Sequence, residues 1–192
     1  GTAQFGTNYG ISSVSGIVKP REVKKIISYA KLMKIDLIDT APAYGKSEKI
    51  LGESNITSFK VVTKTRHFDN NIINNNDLNL LYEDFNVSLK KLKRDNVYGL
   101  LVHNAGDLLK SGADKLILKL QNLKKANKIV KIGVSIYNNK QLKFIINNFD
   151  IDLIQLPFNI LDRRLIDNGM LDFLQKQNIE IHARSVFLQG LL

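Results

Sequence analysis

The chain has 192 residues, 44% of them apolar, with no Cys and no Trp, and 28 Lys and Arg against 18 Asp and Glu give a net charge of +10. One domain of this length buries an adequate core without disulfides or a structural metal. The missing thiols exclude disulfide frameworks, thiolate nucleophiles and thiolate metal sites. No run of about 18 apolar residues and no basic-then-apolar leader is present, so no membrane partner is expected and a cytoplasmic location is. The basic charge is dispersed over pairs such as Lys24-Lys25, Lys90-Lys91 and Lys124-Lys125 on the polar sides of different helical patterns. A nucleic-acid binder gathers such charge on one face and interleaves it with aromatics, so no nucleic-acid partner is expected either.

In chain order, residues 2–5 read as the tail of a first strand. Pro20 suits the first turn of a helix that continues through Val23, Ile26, Ile27 and Ala30. Apolar runs of four to six residues then end near Asp39 (residues 35–38), Lys64 (59–63) and His103 (97–102). Three more end near Ser135 (129–134), Gln155 (151–154) and Arg184 (179–183). Such runs are the mark of strands buried on both faces. Between them lie helical stripes: Leu78, Leu81, Phe85, Leu89 and Leu92, then Leu116, Leu120 and Leu123, then Leu142, Ile145, Ile146 and Phe149. Asp77 and Asp114 stand where N-caps are expected.

Strand ends recur at intervals of roughly 20 to 40 residues, the length of a βα unit. Strict alternation implies a parallel α/β sheet, either doubly wound or closed as a (β/α)8 barrel. A dinucleotide fold would show G-x-G-x-x-G after its first strand, whereas Gly1-Thr2-Ala3-Gln4-Phe5-Gly6 has the wrong spacing. Asp39, Lys64 and His103 close three successive strands, and in a barrel all three point into the mouth where catalytic groups collect. Tyr44 follows Asp39 on a short loop containing Pro42 and Gly45, which can fold the phenol over the same mouth. Each residue alone has an ordinary role: a loop acid, a snorkelling lysine, a core histidine, a rim aromatic. Together they suit a specific reaction. Asp39 would hold Lys64, the ammonium would lower the Tyr44 pKa so that the phenol acts as general acid, and His103 would donate to the developing oxyanion.

These residues resemble those of the aldo-keto reductase superfamily, NAD(P)H-dependent (β/α)8 oxidoreductases of aldehydes and ketones. The resemblance rests on Gly1-Thr2-Ala3 with Phe5-Gly6, Ile38-Asp39-Thr40-Ala41 with Tyr44-Gly45 and Ser47-Glu48, and Leu51-Gly52. It continues through Thr63-Lys64, Leu101-Val102-His103-Asn104, Lys131-Ile132-Gly133-Val134-Ser135, Gln155-Leu156-Pro157-Phe158-Asn159 and Gln189-Gly190-Leu191-Leu192. It implies that Asp39, Tyr44, Lys64 and His103 form the catalytic tetrad, with Tyr44 as proton donor. Ser135 and Gln155 would hold the nicotinamide carboxamide, and Thr2 and Ala3 would meet the nicotinamide ribose. The segment from Ser185 through Phe187 to Gln189 would wrap the pyrophosphate. Arg184 stands where many members stack an aromatic ring on the nicotinamide, and its guanidinium would stack instead. Ile136 replaces the Asn that often follows the Ser of the Gly-Val-Ser motif.

The implied cofactor is NADPH, with NADH as the alternative, and the implied partner is a small-molecule carbonyl substrate. Residues 184–192 resemble a bacterial branch among polysaccharide and surface-sugar biosynthesis proteins, which points to a sugar-like carbonyl. By the same resemblance, residues 1–192 form one barrel domain covering about seven of eight βα units. It would be incomplete at the N-terminus and lack the eighth strand with its cofactor-binding segment, so the chain is expected to be a truncated form. Two other readings compete: a non-catalytic aldo-keto-reductase-like cofactor sensor or interaction protein, and a different barrel enzyme using Lys64 as a Schiff base.

Overall fold

The structure is a computed structural model that describes residues 1–10, 16–137 and 139–191; Leu192, the last residue of the final motif above, lies outside them. Pro20 occupies the first turn of α1 (Pro20–Leu32), where its missing N–H forfeits no helical bond. Val23 and Ile27 bury the inner face of that helix, but Ile26, expected in the same stripe, is 41% exposed. Alternation then runs β1 (Leu37–Asp39), α2 (Ser47–Gly52), β2 (Lys60–Lys64), α3 (Asn75–Leu92), β3 (Val97–Val102), α4 (Ala113–Lys125), β4 (Ile129–Ser135), α5 (Asn139–Asn148), β5 (Leu153–Pro157), α6 (Arg164–Asp167), α7 (Met170–Lys176) and β6 (Glu180–Arg184). All six strands are parallel and lie in sequence order.

Three local expectations are corrected. Residues 2–5 add no seventh strand: Ala3–Phe5 is one 3-10 turn. Ala3 O accepts from Gly6 N, Thr7 N and Thr7 Oγ1, and Thr2 Oγ1 donates to Asp39 O at 2.9 Å, so the segment folds over the end of β1 instead of pairing with it. Asp77 is not the cap of α3. Asn74 is, its side chain accepting from Asp77 N while Asp77 Oδ2 accepts from Asn74 N, a reciprocal capping box. Asp114 lies inside the first turn of α4, where a negative charge complements the helix dipole, and Gly112 takes the cap position. That glycine has φ +86°, and a Cβ there would sit 2.3 Å from Ile73 O.

The strand period of two separates the sheet into faces. The outer face buries Leu100, Val102, Ile132, Val134, Ile154 and Leu156 against helix residues including Val23, Leu51, Leu81, Leu116, Leu142 and Leu174. The inner face carries a thin apolar layer, Val62, Leu101 and Leu153, with Leu37 and Tyr98 against it. Gly133 leaves room for that layer, since a Cβ there would lie 2.3 Å from Leu101 Cδ2. The sheet is curled like part of a barrel wall, because inner-face side chains of strands that are not neighbours touch. Gln155 of β5 reaches Asp39 of β1, and Tyr98 of β3 reaches Glu180 of β6. Among the described residues no helix is long and apolar enough to cross a membrane.

Candidate active site

Polar side chains close both ends of the thin inner layer, and those at the C-terminal strand ends converge. Lys64, the last residue of β2, is 2% exposed. Its Nζ donates to Asp39 Oδ1 at 2.6 Å and to Thr40 O at 2.9 Å. The same Asp39 oxygen accepts from Gln155 Nε2 at 2.7 Å. Lys64 Nζ lies 5.0 Å from the centre of the Tyr44 ring. The His103 ring stands edge-on to Tyr44, centroids 6.3 Å apart. All four tetrad candidates therefore share one mouth.

The Tyr44 loop is held by close backbone packing. Gly6 and Gly45 face each other: a Cβ on Gly6 would fall 1.9 Å from Tyr44 O, and one on Gly45 would fall 2.4 Å from Gly6 O. Gly45 also has φ +57°, a conformation that side-chain-bearing residues resist. Ser47 at the start of α2 donates to Thr2 at 3.0 Å (backbone O) or 2.9 Å (Oγ1) and lies 3.2 Å from Thr40 Oγ1. Glu48, 1% exposed, accepts from Thr63 Oγ1 at 2.8 Å, and burial raises its pKa above the usual carboxylate range. The Ser47-Glu48 pair thus ties the phenol's loop to β1 and β2.

Burial dominates the electrostatics of the mouth. It raises the Tyr44 pKa well above the usual phenol value, and the Asp39 carboxylate adds to the rise. This reverses the expectation that Lys64 would lower it. The ammonium is neutralised by Asp39 at 2.6 Å, so the phenol experiences a pair rather than a lone cation. Burial also lowers the Lys64 pKa, with Asp39 opposing. His103 is pushed down to about 4, first by burial and then by Lys64 and His67. The His67 ring lies 4.5 Å away, tilted by 32°. Among the described residues His103 Nδ1 is buried without a partner.

The expected cofactor residues divide into two groups. Ser135 and Gln155 are buried and sit opposite each other in the register of β4 and β5. The Gln155 amide N–H, however, is engaged by Asp39. Thr2 is buried beside β1, and Ala3 begins the 3-10 turn next to it. Beyond β6, Ser185, Leu188 and Gln189 all have positive φ, giving a tightly wound turn from which Phe187 projects 70% exposed. The Arg184 guanidinium lies 3.7 Å from the centre of the Tyr137 ring, which covers one of its faces. His67 and Tyr137 escaped the sequence reading, since nothing in their spacing signals a ring stacked across loops. The surface groove lined by Ile146, Asn148, Ile151 and Gln177 lies at the opposite strand ends and contains none of these residues.

The Aldo/keto reductase family model matches residues 1–192. Aldo-keto reductase YhdN of Bacillus subtilis (strain 168) is 29% identical over 168 residues, covering 82% of this chain and 50% of that protein. The chain thus spans about half the length of that curated relative. A Pseudomonas aeruginosa structure described as an aldo-keto reductase superposes with a TM-score of 0.76 at 24% identity, covering 96% of this chain and 71% of that one. The glycerol dehydrogenase AKR11B4 of Gluconobacter oxydans gives a TM-score of 0.75 at 23% identity, covering 99% and 59%. At these identities the structural likeness establishes the fold, a (β/α)8-type barrel wall of which six strands are described. With its whole length matched and its strands arranged in this way, the chain belongs to the aldo/keto reductase family.

Proposed function

We propose that the protein reduces the carbonyl group of an aldehyde or ketone to an alcohol with NADPH, with Tyr44 as the proton donor. The observation that carries this reading is the convergence of Tyr44, Lys64, Asp39 and His103 on one mouth. The donors present suit a nicotinamide cofactor. Gln155 Nε2 is engaged by Asp39, so its Oε1 remains to accept from a carboxamide, with Ser135 beside it. Thr2 and Ala3 on one side and the wound turn of Ser185, Phe187 and Gln189 on the other would complete the hold. When bound, the cofactor supplies the hydride.

The protein's own residues handle the proton. The raised Tyr44 pKa keeps the phenol protonated, the form a general acid needs. Its proton moves from Oη to the carbonyl oxygen as that oxygen gains negative charge, and the phenolate left behind keeps the Lys64–Asp39 pair beside it, with Nζ 5.0 Å from the ring centre. Asp39 positions that ammonium, and Gln155 positions Asp39. His103, neutral because its pKa falls to about 4, donates to the carbonyl oxygen. The test is NADPH oxidation with a simple aromatic aldehyde. Tyr44→Phe should lower kcat/KM by about a thousandfold while the thermal melt stays within a few degrees. A variant as active as the wild type would remove Tyr44 from the chemistry.

A further inference from the structure

Among the described residues Arg184 is a cation without a counter-ion, at the rim of this mouth. It ends β6, and its backbone O accepts from Phe158 N at 3.1 Å, which fixes where the side chain starts. The Tyr137 ring covers one face of the guanidinium at 3.7 Å and so sets its plane. Its Nη2 donates to Ile136 O at a stretched 3.5 Å, and among the described residues its buried Nε has no partner. Among the described residues no carboxylate lies within 4.0 Å of it.

Three comparisons within the chain show that this is not the ordinary condition of an arginine, of this strand face or of this mouth. Arg94, also partly buried, donates to three carbonyls, Ile56 O, Phe59 O and Thr57 O, and so acts as a structural clamp. Glu180 lies on the same face of β6 but is already engaged by Lys131, Tyr98 and His182. Lys64, the other cation of the mouth, has Asp39. A planar fork with one face covered, a buried Nε that has no acceptor and no anion within 4.0 Å among the described residues matches a carboxylate or phosphate arriving from outside. Its charge already acts on Tyr44, Lys64 and His103, so an anion bound there would sit within electrostatic range of the reacting centre.

We propose that Arg184, seated on Tyr137, is an anion-recognising residue of the catalytic mouth, and that the carbonyl substrate carries a carboxylate or phosphate. This rests on the reductase reading above and narrows its substrate class. The substrate anion is favoured over the cofactor's phosphates because the guanidinium belongs to the same mouth as Tyr44 and His103.

The test is a selectivity ratio. kcat/KM is measured with NADPH for 4-carboxybenzaldehyde against benzaldehyde, and for glyceraldehyde 3-phosphate against glyceraldehyde, in wild type, R184Q and R184K. At least one anionic member should be preferred by about tenfold or more in the wild type. R184Q should lose that preference mainly through KM, and R184K should restore part of it. Any loss of cofactor hold is common to both members of a pair and cancels in the ratio. An unchanged ratio in R184Q overturns the proposal; if the NADPH dissociation constant rises at the same time, the guanidinium serves the cofactor. If the wild type reduces none of the four compounds, the reductase reading fails. NMR titration of wild type and R184Q with 4-carboxybenzoate against benzamide then decides the anion site separately: equal affinities in the two proteins overturn it.

Discussion

The two ends of the parallel strands are similarly polar, yet their charges stand in opposite conditions. At the N-terminal end, Glu180 accepts from Tyr98 Oη at 2.6 Å, pairs with His182 Nε2 at 2.6 Å and is bonded by Lys131 Nζ. Lys60 and Lys131 also lie over the Tyr98 ring, 5.4 and 5.6 Å from its centre. Burial alone would raise the Glu180 pKa, but hydrogen bonds from Lys131, Tyr98 and His182 hold it at about 2. At the mouth, burial drives Tyr44 upward and His103 and Lys64 downward, and two nitrogens, His103 Nδ1 and Arg184 Nε, have no partner. One end stabilises its charges and so contributes to folding. The other holds Tyr44, Lys64 and His103 with pKa values moved from their ordinary ones by burial, the pattern that marks candidate functional groups. The division is not absolute, since His182 Nδ1 is also buried without a partner.

Of the effects that this contrast predicts, the largest comes from breaking the mouth's ion pair. Lys64→Met should lower kcat/KM by at least about a hundredfold, because the forming phenolate loses the cation beside its ring. It should also cost on the order of 3 kcal/mol of stability, since Asp39 is left without its cation. Adding Asp39→Asn should recover much of the stability in a denaturant titration and none of the activity. Recovery of both would mean that the pair is structural, like the cluster at the other end.

The second prediction breaks the opposite end. A carboxylate held at about 2 stabilises the fold above its ordinary pKa of 4.5, and that contribution is lost as pH falls from 4.5 toward 2. Glu180→Gln should therefore destabilise the protein by on the order of 2 kcal/mol at pH 7. Its stability should also change less than the wild type's across that acid window, as read by urea unfolding at several pH values. Aldehyde reduction per folded molecule should stay within about twofold; a tenfold fall would mean that the two ends are coupled.

The smallest effect is one of pH. His103 stays neutral down to about 4, whereas an unperturbed histidine would protonate near 6.5. Reduction should hold level from about pH 8 to pH 5, with no acid limb near 6.5. The folded state should lose stability over the interval from 6.5 to 4, because the unfolded chain takes up that proton first. The His103 ring resonances, followed by NMR, would refute this by titrating near 6.5.

This contrast was only half legible in the sequence. Asp39, Lys64, Ser135 and Arg184 each end or nearly end a strand where an apolar run stops, because a continuous run followed by a polar residue is what a parallel strand opening onto a barrel mouth requires. The N-terminal cluster went unread. Tyr98, Lys131 and Glu180 are single polar residues near strand starts, and nothing in their local pattern says that the sheet curls enough to bring β3, β4 and β6 together. The same limit hid the true sign of the Tyr44 shift. Spacing placed the phenol near Lys64 but could not show that Asp39 already neutralises the ammonium. Asp77 was misplaced by one turn because Asn74 and Asp77 share the cap reciprocally, and either residue type suits either place.

The hydrogen bond between Gln155 and Asp39 joins the first strand to the fifth. Neighbouring parallel strands can pair as soon as each βα unit collapses, but this contact closes a loop of more than a hundred residues and forms only once the sheet has bent. Its loop-closure entropy is therefore met late, after the local units are in place. Lys64 and Asp39 can find each other earlier, across adjacent strands, but the carboxylate gains its second donor only at that final step. Completion of the Asp39 hydrogen bonds and curling of the sheet thus go together, and the Gln155 side-chain amide would report by its hydrogen exchange on whether the barrel wall has taken its curvature.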